Sequence, residues 1–535
     1  MQIEQADYVI IGGGASGSVV ANRLSADPTT RVVLLEAGPA ADGFWNKVPA
    51  GGLRKMNTPE ADWMHKTEPD PSLNGRQMVW NAGKMLGGGS AINGMVYIRG
   101  DRRDYDQWAN ELGCTGWSWN EVLPYFLKSE KFQGPPSQTH GVHGTLAVAA
   151  PSMSHPLADT FIDACEQYGL RRVEDYCAGD VDGAFKNLTT QDKGTRASTA
   201  RAFLDEAMKR PNLQVVTGAL VDKVQIENGR ATGVVFRLNG ETQTVSARRE
   251  VIVSGGTLQS PAILMRSGIG PADHLREQGI AVAKDAPEVG KNLHEHISFA
   301  STFEVNVPTW NNMFTKLKLA REFMKYLVFR NGLLTMIPVE AMAYLRTQPD
   351  LPFPDIKLSL GLMMFDAAKG GPHEKPGMAI FQNVAKPKSR GEIRLRSADP
   401  QDNPVIDHRL IGNEEDMAAM VRGAKMVREI FAQPALARYV VQQVSPDPMP
   451  QTDAEWEQAI RNRSGIGFHP VATCRMGGDD GSVVDPRLRV RGIEGLRVIA
   501  ASIMPIMPAA NTNAPSIMVG EKGAAMILED AKVPA

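Results

Sequence analysis

The sequence predicts an α/β chain of two or more domains that opens on a strand–glycine turn–helix–strand nucleotide-binding unit. Three observations predict it. At 535 residues the chain is too long for one ordinary core. From Asp7 to Ser25 it reads DYVIIGGGASGSVVANRLS, an apolar run, then glycines, then apolar residues at helical spacing. A second apolar run, RVVLLEAG, ends on Glu36 about 20 residues beyond the glycines.

Taken in order, the first run reads as a strand, and Gly12, Gly14 and Gly17 fit G-x-G-x-x-G, with Ala15 and Ser16 completing the turn. The first glycine permits a tight turn and the second lets backbone approach a pyrophosphate. The third lets the following helix lie close on the strand, with its free N–H groups at the phosphate. Glu36, followed by Ala37, stands where a carboxylate recognises a ribose 2′-OH. It would repel a 2′-phosphate, which disfavours an NADP-type ligand. These residues suit FAD and NAD alike.

The composition, 42% hydrophobic and 22% charged, is that of a globular protein, and a net charge of −2 gives no field to attract nucleic acid. Four scattered cysteines (Cys114, Cys165, Cys177, Cys474) form neither a disulfide framework nor a CxxC zinc site. No run approaches the roughly 18 apolar residues of a membrane span, and MQIEQADYVIIGGG lacks the basic head and apolar stretch of a secretion signal. A cytoplasmic location is expected.

GKMLGGGSAINGMVYIRGDRRDYDQW (83–108) carries Gly87, Gly88 and Gly89 in succession. In a helix each would cost about 1 kcal/mol relative to alanine; they suit backbone lying flat against a large ring. GTLQSPAILMRSGIG (256–270), HPVATCRMG (469–477) and NTNAPSIMVGEKGA (511–524) follow. With these four segments, which span nearly the whole chain in order, the sequence resembles the glucose–methanol–choline (GMC) oxidoreductases. Its cues GMVYIRG, DAPEVGKNLHEH and KPKSRGEIRLRSADPQDNPVID resemble the bacterial choline-dehydrogenase-like and alcohol dehydrogenase or oxidase branch.

The resemblance implies a discontinuous, doubly wound FAD-binding domain (1–154, 194–300 and 462–535) and an α+β substrate domain on an antiparallel sheet (155–193 and 301–461). It implies FAD contacts at the Gly12–Gly17 turn, Glu36, Trp63, Gly88, Ser90, Asn93, Gly94, Met95, Val96 and Val221. Where some members attach FAD through a histidine, two residues after Ser90, this chain has Ile92, so non-covalent FAD is expected. Where the family often has aspartate it has Ala500, followed by Ala501, so that contact rests on backbone. Local patterns agree with the fold: 212–236 reads as paired strands turning at Asn228–Gly229, 355–365 as a half-buried strand and 415–434 as a helix.

His469 sits in GIGFHPVATCRMG (465–477). Taken alone it could ligate a metal with Cys474, serve a thiol nucleophile, or simply pack. No further His or Cys stands at metal-site spacing, so no metal is expected. The resemblance makes His469 the base that takes the proton of an alcohol while hydride passes to flavin N5, and an imidazole of pKa about 6.5 suits that task. It makes Asn513 the residue that holds the substrate oxygen, with Asn511 structural. The expected reaction is oxidation of a primary alcohol, apolar or aryl, to the aldehyde, with oxygen, a quinone or an artificial dye as acceptor; a lyase on the same scaffold is the alternative.

Methionine-rich LLTMIPVEAMAY (333–344) and LGLMMFD (360–366) suggest a plastic apolar pocket. Gly467 suggests room for larger alcohols, and Glu340 is a candidate partner for a cationic one. FTKLKLAREFMKYLVFRNG (314–332) is a basic, apolar helix that covers a channel or rests on an anionic membrane.

Overall fold

The computed structural model describes residues 5–366 and 369–532, so the outer ends of the expected nucleotide domain, 1–4 and 533–535, fall outside it. A seven-stranded sheet runs Leu213–Thr217, Val32–Glu36, Gln5–Ile11, Glu241–Val253, Arg230–Leu238, Leu220–Glu227, with Leu496–Val498 beside Glu241–Val253. The strands around Gln5–Ile11 are parallel. Their near-continuous burial explains the unbroken apolar runs DYVII and VVLL, since parallel strands are covered on both faces. The hairpin turns at Asn228 and Gly229, both at positive φ, as a tight two-residue turn requires. The helices Ala15–Leu24 and Asn513–Asp530 join the two chain ends: Ser16 Oγ donates to the Ser516 carbonyl at 2.7 Å, and Arg23 Nε donates to the Glu521 carboxylate at 2.9 Å.

The second sheet is antiparallel, in the order Val440–Ser445, Ile297–Val305, Gly377–Val384, Ile356–Gly361, Ala341–Leu345, Gly183–Lys186, with Gly465–Ile466 paired to the start of Ile297–Val305. A boundary at 300 would cut the strand Ile297–Val305; the sheet takes Gly183–Lys186 first, resumes at Ile297 and ends at Ile466, later than the 462 expected. Alternation places Lys357, Ser359 and Gly361 on the face toward the cavity described below. Ile356 on the opposite face meets Gly423 of the helix Glu414–Phe431. The half-buried strand expected here is buried along its whole length, because the cavity walls cover its polar face.

Candidate active site

A cavity of about 780 Å³ is lined from both sheets. On the side of the parallel sheet two glycine turns abut. Gly12 holds φ +98, and a Cβ there would stand 2.5 Å from the Ser254 carbonyl oxygen. Gly88 holds φ +50, 2.9 Å from the Gly14 Cα by the same measure, while Gly14 and Gly89 face open space. The helix Ala15–Leu24 starts with no side-chain cap, and Gly14, Ala15 and Ser16 line the cavity, so its first N–H groups are placed for an anion. Glu36 accepts the Gly13 and Gly38 N–H groups, each at 2.8 Å, which shapes the turn around a carboxylate on the cavity wall. Burial raises its pKa. Flat backbone, helix N–H groups and one carboxylate fit a dinucleotide, and Ile92 on the wall has no nucleophile to bond it.

On the side of the antiparallel sheet, half-buried His469 is fixed by a chain of hydrogen bonds. His296 Nε2 lies 3.1 Å from the Ala385 carbonyl, which can only accept, so Nε2 carries the proton. His296 Nδ1 is therefore a lone pair, and His469 Nδ1, 3.0 Å away, donates to it. His469 Nε2 is left as an acceptor and receives the Asn511 Nδ2–H at 2.8 Å. Both imidazoles are held neutral: burial pushes each pKa well below its ordinary value, and the nearby Lys357 lowers it further. Asn511 Oδ1 is buried without a hydrogen-bond partner among the described residues, an acceptor beside the lone pair.

The backbone under these rings is clamped by Glu295, whose carboxylate accepts the His296 N–H at 2.6 Å and the His469 N–H at 2.8 Å. Phe468, just before His469, sits at φ +65, a strained state for a bulky residue that this clamp helps to hold. Thr257 Oγ1 donates to the Pro470 carbonyl at 2.7 Å. Lys357 Nζ lies 3.4 Å from His296 Nδ1. Burial pushes the Glu295 carboxyl up to about 8 and the Lys357 amine down to about 7, each partly offset by the other. Glu295, His296 and His469 lie close enough to hold a metal ion, but these hydrogen bonds engage their lone pairs and Lys357 disfavours a second cation.

The segment carrying Asn511 is tied to elements on several sides. The Met507 N–H donates to His294 Nε2 at 3.0 Å, the Ala509 N–H to Asp104 at 2.7 Å, and the Ala509 carbonyl accepts from the Tyr344 hydroxyl at 2.8 Å.

Family models described as GMC oxidoreductase match residues 6–298 and 387–520. The chain is a GMC oxidoreductase. An oxygen-dependent choline dehydrogenase of Sinorhizobium medicae (strain WSM419) is 40% identical over 533 residues, covering 98% of this chain and 96% of that protein. Pyridoxine 4-oxidase from Mesorbium loti superposes with a TM-score of 0.89 at 29% identity, covering 98% of this chain and 99% of that one. The R554A formate oxidase of Aspergillus oryzae RIB40 gives 0.93 at 27%, covering 99% of each. This GMC oxidoreductase is thus an FAD enzyme acting on CH–OH donors.

Of the residues singled out for FAD, Gly12, Gly14, Ala15, Ser16, Glu36, Ala37, Trp63, Gly88, Asn93, Gly94, Met95, Val96, Val221, Ala500 and Ala501 line the cavity. Ser90 and Gly17 do not. Ser90 Oγ is spent inside the loop, donating to the Gly87 carbonyl at 2.6 Å and meeting Thr199 Oγ1 at 2.9 Å. A Cβ on Gly17 would stand 1.9 Å from the Gly12 carbonyl oxygen, so this glycine seats the helix on the turn.

Asn513 lines the cavity, but the amide bonded to His469 is that of Asn511; by residue 513 the chain has entered the helix Asn513–Asp530. Gly467 is explained by close approach, since a Cβ there would stand 2.7 Å from the His296 carbonyl oxygen. Glu340 is not on the cavity wall; it accepts from the His155 N–H and Trp310 Nε1, both at 2.7 Å. Cys474 is a buried thiol whose pKa burial pushes up to about 12, with no nucleophilic character. Sequence reasoning missed Glu295, His296 and Lys357. The signal for the first two was the run HEH directly before a strand.

Proposed function

We propose that this enzyme oxidises a neutral primary alcohol with an apolar or aryl body to its aldehyde, with His469 as the base. The observation that carries this reading is the lone pair on His469 Nε2, held on the cavity wall by the relay from the Ala385 carbonyl. FAD, bound in the glycine cradle, supplies the acceptor for the hydride. His469 Nε2 takes the hydroxyl proton. The Asn511 amide, which now donates to that nitrogen, turns its N–H to the developing alkoxide. Asn511 Oδ1 accepts from the hydroxyl before proton transfer.

The substrate end of the cavity supports an apolar body: Trp310, Met336, Ile337, Met342, Leu362 and Phe381 line it. Glu36 is the only carboxylate among the described lining residues, and backbone N–H groups engage both its oxygens. A cationic alcohol would find Lys357 and no counter-ion. The oxygen dependence in the Sinorhizobium relative's name favours oxygen as acceptor over a quinone or dye. The four buried, unpaired thiols suit work in the cytoplasm.

The test is anaerobic bleaching of the flavin by a panel of alcohols. Benzylic and medium-chain primary alcohols should reduce it at least about tenfold faster than choline at equal concentration. The opposite order would overturn the substrate reading. A flavin that no alcohol bleaches would instead support the lyase alternative.

A further inference from the structure

The helix Lys316–Phe329 turns an apolar face to solvent, the reverse of what packing on a globular core requires. Its inward side carries Glu322, Phe323 and Tyr326, with Phe323 packed on Phe44 and Trp45 at ring-centroid distances of 6.0 and 6.4 Å. On the opposite side Leu317, Met324 and Val328 recur at helical spacing and form one outward line, 83, 57 and 65% exposed. Phe329 at the helix end is 69% exposed. An exposed stripe of large apolar side chains marks a surface that something covers.

The charges beside the stripe indicate what covers it. Lys318, Arg321 and Lys325 flank it, and Lys316 and Arg330 stand at the helix ends. The one acid of the segment, Glu322, is buried, accepts the Leu333 N–H at 2.8 Å and lies 3.9 Å from Lys325 Nζ, one carboxylate against the five cations. The whole chain carries a net charge of −2, so the cationic excess is local to this face. A second copy of the chain would set these cations against themselves, whereas a phosphate-rich surface would neutralise them.

We propose that this helix lies in the plane of an anionic lipid bilayer. Leu317, Met324 and Val328 sit among the acyl chains, with the lysines and Arg321 at the lipid phosphates. At 14 residues it is too short to span, and no helix among the described residues is long and apolar enough to cross a membrane. The helix leads through Leu333–Thr335 directly into Met336–Val339 of the cavity wall. Docking therefore brings the apolar end of the cavity to the bilayer, where an apolar alcohol dissolves. That last step rests on the substrate reading above; the docking itself does not.

The experiment is flotation of the full-length, FAD-loaded enzyme with vesicles of phosphatidylcholine alone or mixed with phosphatidylglycerol. The wild type should float with anionic vesicles at least about tenfold more than with neutral ones at low salt. The triple variant Leu317→Ser, Met324→Ser, Val328→Ser and the charge-reversed Lys318→Glu, Arg321→Glu, Lys325→Glu should each lose that binding about tenfold or more. Both should keep their flavin and its bleaching by a water-soluble alcohol, which shows that they fold. Three results would overturn the proposal: no flotation, flotation indifferent to lipid charge, or variants that float like the wild type. So would a concentration-dependent dimer that the serine variant abolishes, since a second copy would then cover the stripe. Flotation needs no turnover, so a failed substrate panel and a failed vesicle assay are separate outcomes.

Discussion

The two ends of the cavity are built by different means. The nucleotide cradle comes from short, local runs (12–17, 36–38 and 87–96) in which backbone conformation does most of the work. The alcohol end joins single residues from five separate stretches: Glu295 and His296, Lys357, Ala385, His469, and Asn511. One end depends on side chains being absent, the other on side chains meeting across the fold. The cradle should fail when a Cβ is added, and the alcohol end when a functional group is removed.

The largest effect expected is at Gly12. Gly12→Val puts a branched side chain at φ +98 against the Ser254 carbonyl, and flavin absorbance per protein should fall close to zero. A variant that still purifies yellow would erase the contrast between the two ends. His469→Ala should do the converse, keeping bound FAD while anaerobic reduction by alcohol slows by about 10²–10⁴-fold. Stopped-flow rates within tenfold of wild type would remove His469 as the base.

Next in size is the choice between two asparagines. Asn511→Ala should slow reduction by about 10²-fold, and Asn513→Ala by less than about tenfold, because only the former meets the imidazole. The reverse ranking would restore Asn513 to the role its place in the motif implies. The smallest effect concerns pH. His469 is held neutral well below the ordinary histidine range by burial first and by Lys357 second. Its basic form persists above that depressed pKa, so the reduction rate should stay flat from neutrality to below pH 6.5 and fall only on further acidification. Lys357→Met removes a repelling cation and makes protonation easier, so the acid limb should move to higher pH. A limb that stays put, or moves down, would separate Lys357 from the imidazole.

The same division explains how much was legible in the sequence. The cradle was legible because Gly12, Gly14 and Glu36 act within one strand–turn–helix–strand unit, where spacing along the chain is spacing in space. The direction of the Ser90 hydroxyl was not legible, because a serine in a glycine loop can face inward or outward with no change of pattern. At the other end the motif singled out His469, which does line the cavity, but NTNAP offers two asparagines two residues apart, and only tertiary placement shows that Asn511 meets the imidazole. Lys357 was hidden in DIKLSLG, where a lysine reads as the solvent side of a strand until another domain covers that side. His296 gains its role from a carbonyl 89 residues away in sequence, a relation no local pattern carries.

The moorings of the 507–511 segment carry a consequence for heat and denaturant. Its anchors, His294, Asp104 and Tyr344, belong to three distant parts of the chain, so the amide at 511 works as a gauge of how faithfully they stay aligned. Mild urea that loosens this alignment should extinguish turnover while ellipticity and bound colour persist, and dilution should restore it.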